Sequence, residues 1–243
     1  MQKPIKNWYT DWFDTPFYHT LYRDRDHKEA QLFMDNLTSY LKLPANASIL
    51  DLACGKGRHS VYLNTLGFDV TGVDLSANSI AFAKKFENNS LHFDVHDMSQ
   101  PYPQKFDAIL NLFTSFGYFD KDEDNLHTIR AIKQALKPNG VGVIDFLNVT
   151  YVEKHLVPNE IKIVDNIEFH INRFIQDGYI LKTIDFNFEN EAYHFTERVK
   201  SLNYEDFKAY FQHSGVSLLS TFGDYKLNAF QKDSSERLIM VFQ

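Results

Sequence analysis

The sequence predicts an α/β fold: a doubly wound, mostly parallel sheet, with an antiparallel unit inserted late in the chain. Three observations carry this. Ile49–Leu66 reads as a short apolar strand, a bend with two glycines and an amphipathic helix. From residue 48 to 146, short apolar runs alternate with segments of helical period. After Pro158 the period of the apolar residues changes to two.

In order, residues 1–23 form an arm dense in aromatics: Trp8, Tyr9, Trp12, Phe13, Phe17, Tyr18 and Tyr22. Over 26–42, Ala30, Phe33, Met34, Leu37, Tyr40 and Leu41 recur at helical spacing, and Pro44 stops the run. The first strand is 48–53, polar only at Ser48 and Asp51; a helix over 58–66 ends at Gly67. A second strand, 68–74, finishes on Asp74, and a helix over 77–87 leads to strands at 91–95 and 106–111. The helix Asp122–Leu136 carries the stripe Leu126, Ile129, Ile132 and Leu136, with acids in its first turn. Lys137-Pro138-Asn139-Gly140 is expected to close it before a strand over 141–146.

Then Ile161/Ile163, Ile167/Phe169/Ile171, Ile180/Ile184/Phe186 and Tyr193/Phe195/Val199 alternate with polar residues. Asp177-Gly178 is a strong hairpin signal, and Asp165-Asn166 and Glu189-Asn190-Glu191 mark the neighbouring turns. Three or four such strands are too few to be stable alone, so the meander must rest on the main domain or pair with a second copy. Asn203–Asp206 opens a capped helix that Gly215 ends, and 216–222 and 238–242 supply the last strands. The expected division is 1–45 as arm and helix, 46–158 with 201–243 as the main domain, and 159–200 as the insert.

Composition narrows the partners. A net charge of −7 argues against a nucleic-acid backbone. No apolar run approaches the roughly 18 residues of a membrane span. One cysteine, Cys54, and no signal-peptide core point to the cytoplasm. His92 and His96 would stand roughly 13 Å apart along a strand, too far to share an ion, so no metal site is expected. The chain is expected to be a monomer or homodimer.

The chemistry lies around the glycine bend. A Cβ at Gly55 or Gly57 would hold the backbone away from a ligand, and such a bend favours positive φ. Seventeen residues after Gly57, Asp74 is placed to accept both hydroxyls of a ribose. This spacing suits NAD and S-adenosylmethionine alike. Asp51, in the strand before the bend, favours a cofactor that carries a cation over a pyrophosphate, and a catalytic Tyr-Lys pair for an NAD-dependent oxidoreductase is missing.

Asp51-Leu52-Ala53-Cys54-Gly55-Lys56-Gly57 resembles the first motif of class I S-adenosylmethionine-dependent methyltransferases, with Ala53 in place of the first glycine. Phe93–Met98 and Phe106–Phe113 resemble later segments of the same family. The resemblance implies a seven-stranded sheet of order 3-2-1-4-5-7-6, with S-adenosylmethionine as cofactor and S-adenosylhomocysteine as product. Asp51 would recognise the cofactor's ammonium, and the backbone of Ala53, Cys54, Gly55 and Gly57 its methionine part. Asp74 would take the ribose, Leu75 the adenine face, and Asp97 and Met98 the adenine edge, with Asn111 and Leu112 bordering the sulfonium. Arg58 would either reach the cofactor carboxylate or simply begin a helix. Tyr18 and Tyr22 would close over the methionine end, because aromatic faces attract cations.

Cytosine methylation would need a Pro-Cys motif and base or glutamine amines an Asn-Pro-Pro-Tyr-like one; both are absent, and Cys54 reads as a small residue filling the turn. The inserted antiparallel unit with its aromatic lid resembles the small-molecule methyltransferases, which implies a small-molecule acceptor with an amine, hydroxyl or carboxyl group. Tyr118, His194 and Arg198 are the catalytic candidates, with Phe116 and Glu197 beside them. The competing reading is a catalytically silent cofactor-binding sensor or partner subunit.

Overall fold

The computed structural model describes residues 8–23 and 27–243. The start of the arm, residues 1–7, and position 26, the expected start of the first long helix, lie outside the described residues. The chain divides into two compact units. One comprises the described residues of 1–25 with 153–201, the other those of 26–152 with 202–243.

The chain begins with two short helices, α1 (Trp8–Phe13) and α2 (Pro16–Leu21). Thr15 caps α2 by accepting from the Tyr18 N–H, and Pro16 stands in its first turn, where a missing N–H costs nothing. The longer α3 (His27–Leu41) follows. Then come β1 (Ser48–Leu52), α4 (Arg58–Thr65), β2 (Asp69–Asp74), α5 (Ala77–Ala83), β3 (Leu91–Val95) and β4 (Phe106–Asn111). After them come α6 (Asp122–Ala135), β5 (Leu136–Leu147) and α7 (Val149–His155). The strands β6 (Asn159–Val164), β7 (Ile167–Gln176), β8 (Tyr179–Phe188) and β9 (Glu191–Lys200) form the meander. The chain ends with α8 (Tyr204–Ser214), β10 (Leu218–Phe222) and β11 (Arg237–Phe242).

In the larger unit the sheet order is β3-β2-β1-β4-β5-β11-β10, which is the expected 3-2-1-4-5-7-6. β1 to β5 pair in parallel, and β11 runs antiparallel between β5 and β10. The central strands are mainly apolar because both faces are covered, with Ile49, Val70, Ile109 and Ile144 fully buried. Phe33, Met34 and Leu37 of α3 join the same core.

Two expectations need correction. The helix after the second strand ends at Ala83 and tightens into a 3₁₀ turn over Lys84–Phe86, because the Glu87 carboxylate turns back to accept the Phe93 N–H at 2.9 Å. Lys137–Gly140 is not a helix cap. Leu136 is already extended and pairs with Phe106, and Lys137 reaches Asp107 at 2.8 Å. Gly140 serves close approach, since a Cβ there would stand 2.9 Å from the Phe106 carbonyl oxygen.

In the smaller unit, β6-β7-β8-β9 form an antiparallel sheet. Its turns at Asp165–Asn166, Asp177–Gly178 and Glu189–Asn190 have positive φ at both central residues, as primed hairpin turns require. One face takes the aromatic arm: Phe17 packs on Phe186, Phe188 and Tyr193, and Trp12 on Phe195. The other sets His170 against Glu168 and His194 against Asp185. Ile161 and Ile163, on the edge strand β6, are exposed.

Candidate functional site

The carboxyl ends of β1, β2 and β4 meet in the larger unit, and most of the expected binding residues gather there. Register sets Leu52 beside both Val73 and Asn111, so Ala53, Asp74 and Leu112 follow at one edge. The chain then turns through three left-handed residues, Ala53 (φ 60°), Gly55 (φ 55°) and Gly57 (φ 81°). The Cys54 N–H donates to the Val73 carbonyl and the Gly57 N–H to the Cys54 carbonyl, both at 3.0 Å, which fixes the bend against β2.

The two glycines serve different ends. A Cβ at Gly55 would meet nothing within 4 Å, so this side of the bend is open to a ligand. A Cβ at Gly57 would lie 2.6 Å from the Phe93 ring. Gly57 therefore answers to packing under the bend as well as to its φ, which corrects the expectation that both leave room for a ligand. Ala53 carries a Cβ in a conformation that costs an L-residue roughly 1–2 kcal/mol.

Asp51 is buried beneath the bend, and the Ser60 hydroxyl donates to it at 2.6 Å. Burial pushes its carboxyl up to about 7, the nearby Asp74 charge adds to this, and the Ser60 bond opposes it. Ser60 lies in the first turn of α4 and was not legible as a partner, although its place nine residues after the buried acid was a signal. Asp74 accepts from the Gly55 N–H and the Ser76 N–H, each at 2.8 Å. It thus ties bend to strand, while Ser76 caps α5.

Asn111 ends β4 fully buried. Its amide donates to the Leu52 carbonyl at 3.3 Å and approaches the Met98 sulfur at 3.7 Å, and its Oδ1 has no partner among the described residues. Asp97 and Leu75 are exposed at the ends of their strands; Asp97 accepts from the Ser99 N–H. Leu112 is buried. Arg58 bonds the His59 ring, which stacks on Phe113 at 4.4 Å. Burial, helped by Asp51 and Asp74, raises the Cys54 thiol well above its usual range, which keeps it a thiol and unfit as a nucleophile.

The remaining candidates divide between the two units. Tyr118 follows β4 in the larger unit, and Phe116 is a core residue packed on Phe207. Tyr18, Tyr22, His194, Glu197 and Arg198 belong to the smaller unit. There, Tyr22 and Trp12 donate to Glu197 at 2.6 and 2.8 Å, and Tyr18 packs between Trp12 and Tyr22. His194 pairs with Asp185 at 2.6 Å, and Arg198 stacks on Tyr179.

Residues 49–140 match a family model described as a methyltransferase domain. Over these residues the chain carries a methyltransferase domain. The domain is similar to the glycine/sarcosine N-methyltransferase of Aphanothece halophytica, 30% identical over 132 residues that make up 51% of this chain and 48% of that protein. It is also similar to a dTDP-3-amino-3,4,6-trideoxy-alpha-D-glucopyranose N,N-dimethyltransferase of Streptomyces venezuelae, 31% identical over 106 residues, 43% of this chain and 44% of that protein. The chain thus spans about half the length of the curated relatives it matches. A solved S-adenosylmethionine-dependent methyltransferase from Clostridium acetobutylicum shares the fold, with a TM-score of 0.79 at 23% identity over 93% of this chain and 96% of that one. In the larger unit, no described helix is long and apolar enough to cross a membrane, and the same is true of the smaller one.

Proposed function

We propose that this methyltransferase transfers a methyl group from S-adenosylmethionine to a nucleophilic atom, by preference an amine, of a small molecule. The observation that carries the reading is Asp51: a buried carboxylate whose hydrogen-bond donors, the Ser60 hydroxyl and backbone N–H, are neutral, with its carboxyl pushed up to about 7. Such a group is relieved by a cation, and the cofactor's methionine end carries one. The orphaned Asn111 Oδ1 and the open side of Gly55 fit the same ligand.

In this reading Asp51 recognises the ammonium, and the backbone of Ala53–Gly57 follows the methionine part. Asp74 accepts from the ribose hydroxyls, Leu75 covers the adenine, and Asp97 and Met98 meet its edge. Asn111 and Leu112 border the reacting end. When bound, the cofactor supplies a methyl on a sulfonium whose departing group is a neutral thioether, so no acid is needed to protonate a leaving group. The protein's main task is to hold acceptor and methyl in line, which is worth roughly 7–11 kcal/mol when the geometry is good. A base is required only where the acceptor arrives protonated.

The amine preference rests on the relatives named above, both of them N-methyltransferases by name. The test is transfer of a labelled methyl group over a panel of small amines, amino acids and amino sugars. Labelled product is expected from at least one amine. Tight S-adenosylhomocysteine binding with no labelled product anywhere would favour the silent sensor.

A further inference from the structure

A second buried cluster lies beside the bend, and none of the roles above uses it. Asp145, on β5, is fully buried, and Arg237, the first residue of β11, is drawn in beside it. The guanidinium donates to Asp145 Oδ1 through Nε at 2.8 Å and pairs with the same oxygen through a second nitrogen at 2.7 Å. That second nitrogen also donates to the Thr114 hydroxyl at 3.0 Å. The Phe113 N–H donates to Asp145 Oδ2 at 2.8 Å, and the Thr114 N–H to the Asp145 carbonyl at 3.0 Å. Tyr225 completes the cluster: its hydroxyl donates to Asp145 Oδ2 at 3.4 Å, and its ring lies under the guanidinium and against Phe33 and Phe113.

The object held by these contacts is unusual. Phe113 (φ 55°) and Thr114 (φ 62°) are consecutive non-glycine residues in the left-handed region, directly after Asn111 and Leu112. Such backbone persists only where its surroundings over-determine it. Here four contacts converge on two residues. Their result is the position of the Phe113 ring, stacked face to face on His59 in the first turn of α4 at 4.4 Å and 9°. Phe113 thus joins the end of β4 to the start of α4, on either side of the glycine bend.

We propose that Asp145, Arg237 and Tyr225 are positioning residues: they lock the Phe113–Thr114 turn so that Phe113 forms a fixed wall of the cofactor crevice where the methyl is transferred. This rests on the methyltransferase reading. An ion pair suits the task because its two partners come from adjacent antiparallel strands, so the sheet itself sets their geometry. The buried pair is a poor device for stability alone, since desolvation cancels much of its attraction. It does specify one arrangement of the groups bonded to it.

The test compares wild type with Arg237→Lys, which keeps the charge but cannot form the fork to Asp145 and Thr114 together. S-adenosylhomocysteine affinity is measured by calorimetry well below the unfolding temperature, alongside hydrogen exchange at the Phe113 and Thr114 amides. The expected result is an affinity loss of about tenfold and faster exchange at those two amides, with the β1 amides unchanged. Thr114→Val removes only one acceptor from the guanidinium and keeps the β-branched shape; it is the second variant if Arg237→Lys does not fold, with an expected loss of about threefold. A folded variant that binds S-adenosylhomocysteine as wild type does, with unchanged exchange, would overturn the proposal. Wild type that fails to bind S-adenosylhomocysteine would instead overturn the methyltransferase reading.

Discussion

Asp51 in the larger unit and Glu197 in the smaller one are both carboxylates shielded from solvent, yet they live in opposite circumstances. Glu197 is well supplied: Trp12 and Tyr22 both donate to it, and the Lys182 ammonium lies 3.7 Å away and over the Tyr22 ring. Among the described residues Asp51 is held by Ser60 alone, through its hydroxyl and its backbone N–H; burial pushes its carboxyl up to about 7, the Asp74 charge adds to this, and the Arg58 charge offsets it only in small part. Near it, Asn111 keeps an oxygen without a partner among the described residues. A group paired within its own unit does a structural task, here fastening the aromatic arm to the sheet. A buried group left short of partners is waiting for one, because the cost of burying it is otherwise unrelieved.

The contrast can be broken first at Gly57. Gly57→Ala drives a Cβ into the Phe93 ring and forces a left-handed alanine, so a loss of about 3 kcal/mol or more is expected in urea unfolding. Gly55→Ala, facing open space, should cost only its backbone strain, about 1 kcal/mol. Equal losses would mean the two glycines do the same work. Glu197→Ala should cost about 2–3 kcal/mol, because the buried Trp12, the half-buried Tyr22 and Lys182 lose their acceptor together. A stability within a few tenths of wild type would show that the node is not what holds the arm.

Asp74→Ala should weaken S-adenosylhomocysteine binding by about 1–3 kcal/mol in calorimetry, partly through the ribose and partly through the released Gly55 amide. Unchanged affinity would remove Asp74 from the site. The smallest effect is expected at Ala53→Gly, which relieves a left-handed alanine but loosens the unfolded chain. A net change within about 1 kcal/mol in urea unfolding, toward higher stability, is the expected balance. A marked destabilisation would show that the Ala53 side chain packs better than its strain costs.

Much of this was legible beforehand because the signals are local. A buried strand, a left-handed bend and a primed hairpin each write themselves into a few adjacent residues, as Asp177-Gly178 did. Pairings over distance do not. Gly57 answers to Phe93, thirty-six positions on, and Gly140 to the backbone of Phe106; neither constraint is visible where the glycine stands. Lys137-Pro138-Asn139-Gly140 has the composition of a helix stop, yet pairing of Leu136 with Phe106 draws the segment into β5. In the candidate site the acids were legible from their spacing, whereas Ser60 and Arg237 were not, because their roles exist only after the sheet brings them beside Asp51 and Asp145. Asp145 itself, an acid inside an apolar strand, was a signal of the same kind as Asp51.

The central claim is that the bend above Asp51 receives a cation. The direct measurement is calorimetry of S-adenosylhomocysteine binding between pH 5.5 and 8.5, in two buffers of different ionisation enthalpy. In the free protein the Asp51 carboxyl is raised to about 7, and the ammonium requires the carboxylate. Affinity should therefore be flat above pH 7 and fall about tenfold per unit well below it, with one proton released on binding at the acidic end. In Asp51→Asn the proton release should vanish and affinity drop by about a hundredfold at pH 8. Binding that ignores pH and survives the substitution, or a preference for NADH, would contradict the account.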